Sequence, residues 1–174
     1  LDTAASVLVP WPAEPLLSRR RAEVAVRVEG TDARQSAWSA PLVVEAGLLH
    51  AGDWSARVAS PEVPLEATAL VRRAFTIPGP IDRARLYVTA LGVYEAVLNG
   101  RRVGDEVLAP GWTSYHHRLR YQTFDVTDLV TEGDNVLGAT LADGWYRGRL
   151  GFGGGRAARY GDRLGLIAQL EVVT

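Results

Sequence analysis

Residues 83–100 read RARLYVTALGVYEAVLNG. An extended chain sends successive side chains to opposite faces. In RARLYVTAL (83–91) that alternation puts Leu86 and Val88 on one face. VYEAVLNG (93–100) follows and ends in Asn99-Gly100, a pair suited to a tight turn whose residues need positive φ. The stretch therefore reads as strand, strand, turn. The pattern spreads outward from it. AEVAVRVEG (22–30) places Val24, Val26 and Val28 on one face and Glu23, Arg27 and Glu29 on the other. PLVVEAG (41–47) and LVRRAFTI (70–77), with Val71 and Phe75 among charged neighbours, are further strands. RRVGDEVL, RLRYQTFDV, DNVLGATLA and RLGLIAQLEVV continue the series, separated by glycine, proline, asparagine and aspartate. No stretch keeps apolar residues at i, i+3, i+4, i+7 for three turns. The one helical hint is DVTDLV (125–130), a turn at most.

Composition narrows the function classes. The 174 residues suffice for one large or two small domains, and 47% hydrophobic content is that of a chain with a real core. The net charge of −1 offers no basic field for nucleic acid. All 19 basic residues are arginine. Cysteine is absent, which removes disulfides and thiolate chemistry and leaves the compartment open between cytoplasmic and secreted. The histidines are His50, His116 and His117, two of them adjacent, which is poor spacing for a zinc site. No run of 18 apolar residues spans a membrane, and no basic-then-apolar leader opens the chain. The chain has no methionine and ends inside an apolar strand pattern, so it reads as a piece of a longer protein.

Many short strands with regular turns point to an all-β protein of sandwich or jelly-roll type. AGLLHAGDWSARVASPEVP loses the alternation and gains glycine and proline, as a boundary does. The expected organisation is a small leading module over 1–50, a connector over 51–66 and a larger module over 67–174. The leading module holds only about three or four strands, where a full sandwich of this type has about seven.

Three phrases carry a family resemblance: YEAVLNGRRVGD (94–105), PGWTSYHHRLRYQTFDVTDL (110–129) and ADGWYRG (142–148). Together they resemble the N-terminal β-domain of bacterial α-L-rhamnosidases of glycoside hydrolase family 78. The resemblance covers roughly residues 70–173. AVRV (25–28) and SAWSAPLVVEAGLL (36–49), with Trp38-Ser39 before a last strand, are similar to the end of the fibronectin type III module that precedes this domain. The resemblance implies a partial fibronectin type III-like sandwich followed by a jelly roll of galactose-binding-like form, incomplete at its C-terminus. It further implies a parent enzyme that hydrolyses terminal α-L-rhamnose with inversion, through carboxylates in a downstream (α/α)6 barrel. No part of such a barrel is in these residues, so the chain alone is expected to be inactive. In some members the β-domain resembles a family 67 carbohydrate-binding module that holds rhamnose through calcium. The partners implied are rhamnose-containing glycans and the catalytic domain of the same polypeptide.

Sugars present hydroxyls on their edges and C–H groups on their faces, so a site wants an acid or amide, an arginine and a flat aromatic. Asp143, Trp145, Tyr146 and Arg147 supply all three within LADGWYRGRLGFGGGR (141–156). If the strand persists, Trp145 and Arg147 face one way and Tyr146 the other. The alternative is structural: Trp145 and Tyr146 cap the core while Arg147 pairs with Asp143. The loop PGWTSYHHRLRY (110–121) offers the same chemistry through Trp112 and Tyr115, with His116 and His117 as solvated neighbours. Asp143 and Asp105 are the candidate calcium ligands, by oxygen. Asn99 reads as the turn residue itself. Asp105, Asp143 and Asp162 could make a glycosidase pair, but no spacing favours one. Gly151, Gly153 and Gly154 imitate part of a dinucleotide fingerprint, yet RAARYGDRLG follows where a helix is required, so they read as a flexible connection. Two functions remain: a sugar-binding module, with Trp112 or Trp145 exposed beside a carboxylate in a concave site, or a spacer that buries both tryptophans.

Overall fold

The computed structural model describes residues 1–5 and 7–174. The backbone divides into two compact units, Leu1–Trp54 and Ser55–Thr174. Both are built from antiparallel strands.

In the first unit, β1 (Arg21–Val24) pairs with β2 (Leu42–Glu45) in the register Arg21↔Glu45 to Val24↔Leu42. Beyond Val24 the two segments stay bonded but irregularly. The N–H groups of Val26 and Val28 donate to the hydroxyls of Ser39 and Ser36, each at 3.0 Å. The serine N–H groups donate back to the Val26 and Val28 carbonyls. Side-chain acceptors thus replace ladder carbonyls, which ends the regular strand early. Val26 and Val28 are exposed, so the alternation of 22–30 does not mark a core face. Arg27 lies over the Trp38 ring, 4.8 Å from its centroid. Asp53 closes the unit: its carboxylate accepts from Ser18 Oγ at 2.6 Å, the His50 N–H at 2.8 Å and Arg19 at 3.2 Å. The Ser18 and His50 bonds, helped by the Arg19 charge, hold that carboxyl at about 2.

The second unit is a two-sheet sandwich. Its strands are β3 (Ala69–Ile77), β4 (Arg83–Leu91), β5 (Val93–Leu98), β6 (Arg101–Arg102), β7 (Gln122–Asp125), β8 (Gly133–Ala142) and β9 (Gly165–Val173). One sheet runs β3-β8-β5-β6 and the other β7-β4-β9. Leu86 and Val88, read from alternation as sharing a face, meet Tyr94, Ala96 and Leu98 of β5 and Ala139 and Leu141 of β8 in one core. Val71 and Phe75 of β3 pack at its edge. The DVTDLV hint is a single 3-10 turn, Thr127–Leu129, between the buried Val126 and Val130.

One residue moves the chain from sheet to sheet. Leu91 pairs with Gly165 in the three-stranded sheet, and Val93 pairs with Ala142 in the four-stranded one. Gly92 between them has φ +124°, and a Cβ there would stand 2.5 Å from the Ala142 carbonyl oxygen. Further on, Asn99 (φ 51°) and Gly100 (φ 79°) make the expected turn into β6. Asn99 does more than turn. Its amide donates to the Leu129 carbonyl and to Asn135 Oδ1, and its own Oδ1 accepts from the Val136 N–H. Asn135, almost fully buried, also donates to the Thr131 and Gly133 carbonyls.

β4 is buried on both faces over most of its length. On the side away from the shared core, Tyr87 lies 6.4 Å from the Tyr121 ring and the Thr89 hydroxyl donates to the Arg120 carbonyl. Beside them Gln169 of β9 accepts from the N–H groups of Ser55 and Ala56 at 2.7 and 3.2 Å. Ala59 bridges to Leu166, and Ser60 Oγ donates to the Leu164 carbonyl. Residues 55–60 are therefore bonded along the sandwich.

Candidate aromatic cleft

β8 stops at Ala142, and the strand does not persist through the next residues. Asp143 is followed by one helical turn, α1 (Gly144–Arg147). Gly144 has φ +51°, and a Cβ on it would stand 2.5 Å from Val93 Cγ1, so the corner needs glycine for both conformation and space. The turn replaces the two-fold alternation with helical spacing and separates the four candidate side chains differently from the expectation.

Arg147 turns inward and is 3% exposed. Its Nε donates to Asp143 Oδ1, and its two terminal nitrogens donate to the carbonyls of Val63 and Pro64 at 2.9 and 2.8 Å. The second Asp143 oxygen accepts the Glu66 N–H at 2.7 Å. Asp143 and Arg147 thus bond each other, as in the structural alternative, and three of the five guanidinium N–H groups are bonded to protein. Asp105 is exposed in the segment after β6. Among the described residues no three Asp, Glu or His side chains gather as a metal site.

The aromatic candidates come together. Trp145 of α1 stacks on Trp112, with ring centroids 6.1 Å apart and planes at 12°. Trp112 is 54% exposed and its indole N–H reaches the Tyr160 hydroxyl at 3.3 Å. Tyr115 meets Tyr146 edge-on at 5.2 Å and Tyr160 at 5.0 Å, and its hydroxyl donates to the Gly111 carbonyl. His116 lies 5.7 Å from the Tyr160 ring. Burial pushes the Tyr115 and Tyr146 hydroxyls above the ordinary tyrosine value, so both stay protonated. Beside Trp112 opens a cleft of about 500 Å3 whose walls include His116, His117, Arg118, Arg120 and Tyr160. That is within the size range of small-molecule sites.

Two connecting segments line this cleft, 112–120 and the residues after the glycine loop, and Trp145 of the α1 turn stacks on its Trp112. The loop itself is a tight return. Leu150 and Arg156 bridge, the glycines between them have positive φ, and no helix follows. Its function is thus to bring Tyr160 back to Trp112. Tyr160 is not distinguishable in RAARYGD; the return at 150–156 and backbone bonds from the Ala158 and Tyr160 N–H groups to the Arg147 and Tyr146 carbonyls place it. The cleft differs from the sugar site anticipated above in one respect, since its wall carries no carboxylate.

Comparison with known proteins follows the same division. The family model described as "Alpha-L-rhamnosidase N-terminal domain" matches residues 79–174. A second, "Rha78A-like, N-terminal immunoglobulin domain", matches residues 1–50, where the sequence was read as fibronectin type III-like. An α-L-rhamnosidase of Streptomyces avermitilis is 50% identical over 143 residues, covering 81% of this chain and 13% of that protein. One from Formosa agariphila is 34% identical over 162 residues, covering 87% of this chain and 18% of that protein. Among solved structures, the native α-L-rhamnosidase of Aspergillus terreus superposes with a TM-score of 0.93 at 46% identity, over 98% of this chain and 20% of that one. A Streptomyces avermitilis α-L-rhamnosidase complexed with L-rhamnose gives 0.85 at 26% identity, over 98% of this chain and 33% of that one. The chain thus spans a fifth or less of the curated relatives it matches here.

Proposed function

This chain belongs to the α-L-rhamnosidase N-terminal domain family, and from that premise we propose that it is a non-catalytic, carbohydrate-recognising part of a larger α-L-rhamnosidase. In this reading the whole enzyme removes terminal α-L-rhamnose from glycans, the reacting carboxylates lie in another domain, and this chain alone does not hydrolyse a rhamnoside. The observation that supports recognition is the stacked, half-exposed Trp112–Trp145 pair at the mouth of a polar cleft. A deoxy sugar has an apolar face and a methyl group that gain by covering such a surface, while its hydroxyls bond the tyrosine and histidine edges.

One observation favours the other reading, a spacer that packs against a catalytic domain. Phe152, at the tip of the glycine loop, is fully exposed, and an apolar ring in that position suits a partner surface.

Calorimetry with L-rhamnose separates the two. A single sugar on an open platform should bind with a dissociation constant of about 0.1–1 mM. The expected result is binding that is lost in Trp112→Ala, weakened in Trp145→Ala and indifferent to calcium chelation, because Asp143 is held by Arg147. No heat from the unmodified chain at millimolar sugar leaves the spacer reading.

A further inference from the structure

The cleft beside the tryptophans has a charge pattern that a neutral sugar does not explain. Its wall carries two arginines and two histidines, with Thr113 and Ser114 as hydroxyl neighbours, and no aspartate or glutamate. The whole chain has net charge −1, so this basicity is local. Arg118 and Arg120 are exposed, and among the described residues neither side chain is in an ion pair. Arg19, Arg21, Arg34, Arg85, Arg102, Arg147 and Arg149 have carboxylate partners. The half-buried Leu119 lies between the two cations. Both residues line the cleft.

We propose that this cleft takes an acidic saccharide unit, a uronate or a sulfate ester, next to the sugar that stacks on Trp112, with Arg118 and Arg120 binding its anionic group. The proposal rests on the reading of the tryptophan pair as a sugar platform. Guanidinium groups suit the task because their planar donors match a carboxylate or sulfate with two hydrogen bonds at once. Thr113, Ser114 and the histidines then face the ring hydroxyls of the same unit. The ligand class is a rhamnose-containing acidic oligosaccharide.

The test measures binding of four probes to the 174-residue chain at low and high ionic strength. They are a rhamnose–glucuronate oligosaccharide, its carboxyl-reduced neutral counterpart, an O-sulfated form of that counterpart, and inorganic polyphosphate. At low salt an acidic probe should bind about three- to tenfold tighter than the neutral one, the range expected for exposed ion pairs, and the advantage should shrink at high salt. Whichever acidic probe shows it identifies the group. The double variant Arg118→Gln/Arg120→Gln should lose the advantage of the acidic probes over the neutral one and keep the melting temperature. Equal affinity for acidic and neutral probes overturns the inference and leaves the sugar platform standing. An advantage that survives in the double variant overturns it as well. Polyphosphate that matches the best acidic sugar shows unselective anion contact and overturns it too. Failure of all three saccharides removes both readings.

Discussion

Arg147 donates to oxygens on Asp143, Val63 and Pro64, and so fastens the segment before β3 to the corner after β8. Removing one member of a buried pair strands the other without its counter-charge. Arg147→Met should therefore cost about 3–5 kcal/mol, read by chemical denaturation, and Arg147→Met/Asp143→Leu should recover part of the loss. A cost under about 1 kcal/mol, in the range of an exposed pair, would show that the pair is not structural. This is also where the sequence said least. An aspartate and an arginine four apart next to aromatics fit a sugar site and an internal ion pair equally well. What decides is the pair of carbonyls 84 and 83 residues away, and no local pattern carries that. The Asn135–Asn99 bond was invisible for the same reason, since these two residues come together only when β5 and β8 pair. Trp112, Trp145 and Tyr115 were legible as chemistry, and the fold then placed them together.

At the level of elements, most strands of the second unit were legible because one face lies on a common core and the sequence alternates, although β4 is buried on both faces. The first unit was harder. Val26 and Val28 alternate, yet serine hydroxyls break the ladder beside them and leave both valines exposed. α1 was missed because one helical turn is too short to show a period, and its signal was the glycine that starts it. The corner at Gly92 makes the sharpest prediction for an element. Gly92→Ala must hold an alanine at φ +124° and push its methyl against the Ala142 carbonyl and Leu164. Strain and overpacking together should cost about 2–4 kcal/mol. The effect should appear as a lower denaturation midpoint with an unchanged far-ultraviolet spectrum. A variant as stable as the parent would mean that the sheets turn without a left-handed residue.

For the whole molecule, the two units differ in how much core they hold. The buried cluster belongs entirely to residues 69–166, whereas in the first unit Leu48 is the one fully buried hydrophobic among the described residues. Opening free energy follows buried contact density. Hydrogen exchange should find the slowest amides in β4, β5 and β8 and much faster exchange throughout 1–54. Equal protection in both units would contradict that ranking. The placement of the cleft has a separate meaning for the lineage. Its walls come from two connecting segments, and the strands beneath lend it no side chain. The exposed positions among 112–120 take no part in the buried core, so under the proposed sugar-binding role ligand preference can change while the frame is kept. Transplanting those segments between relatives then tests whether that preference moves with them.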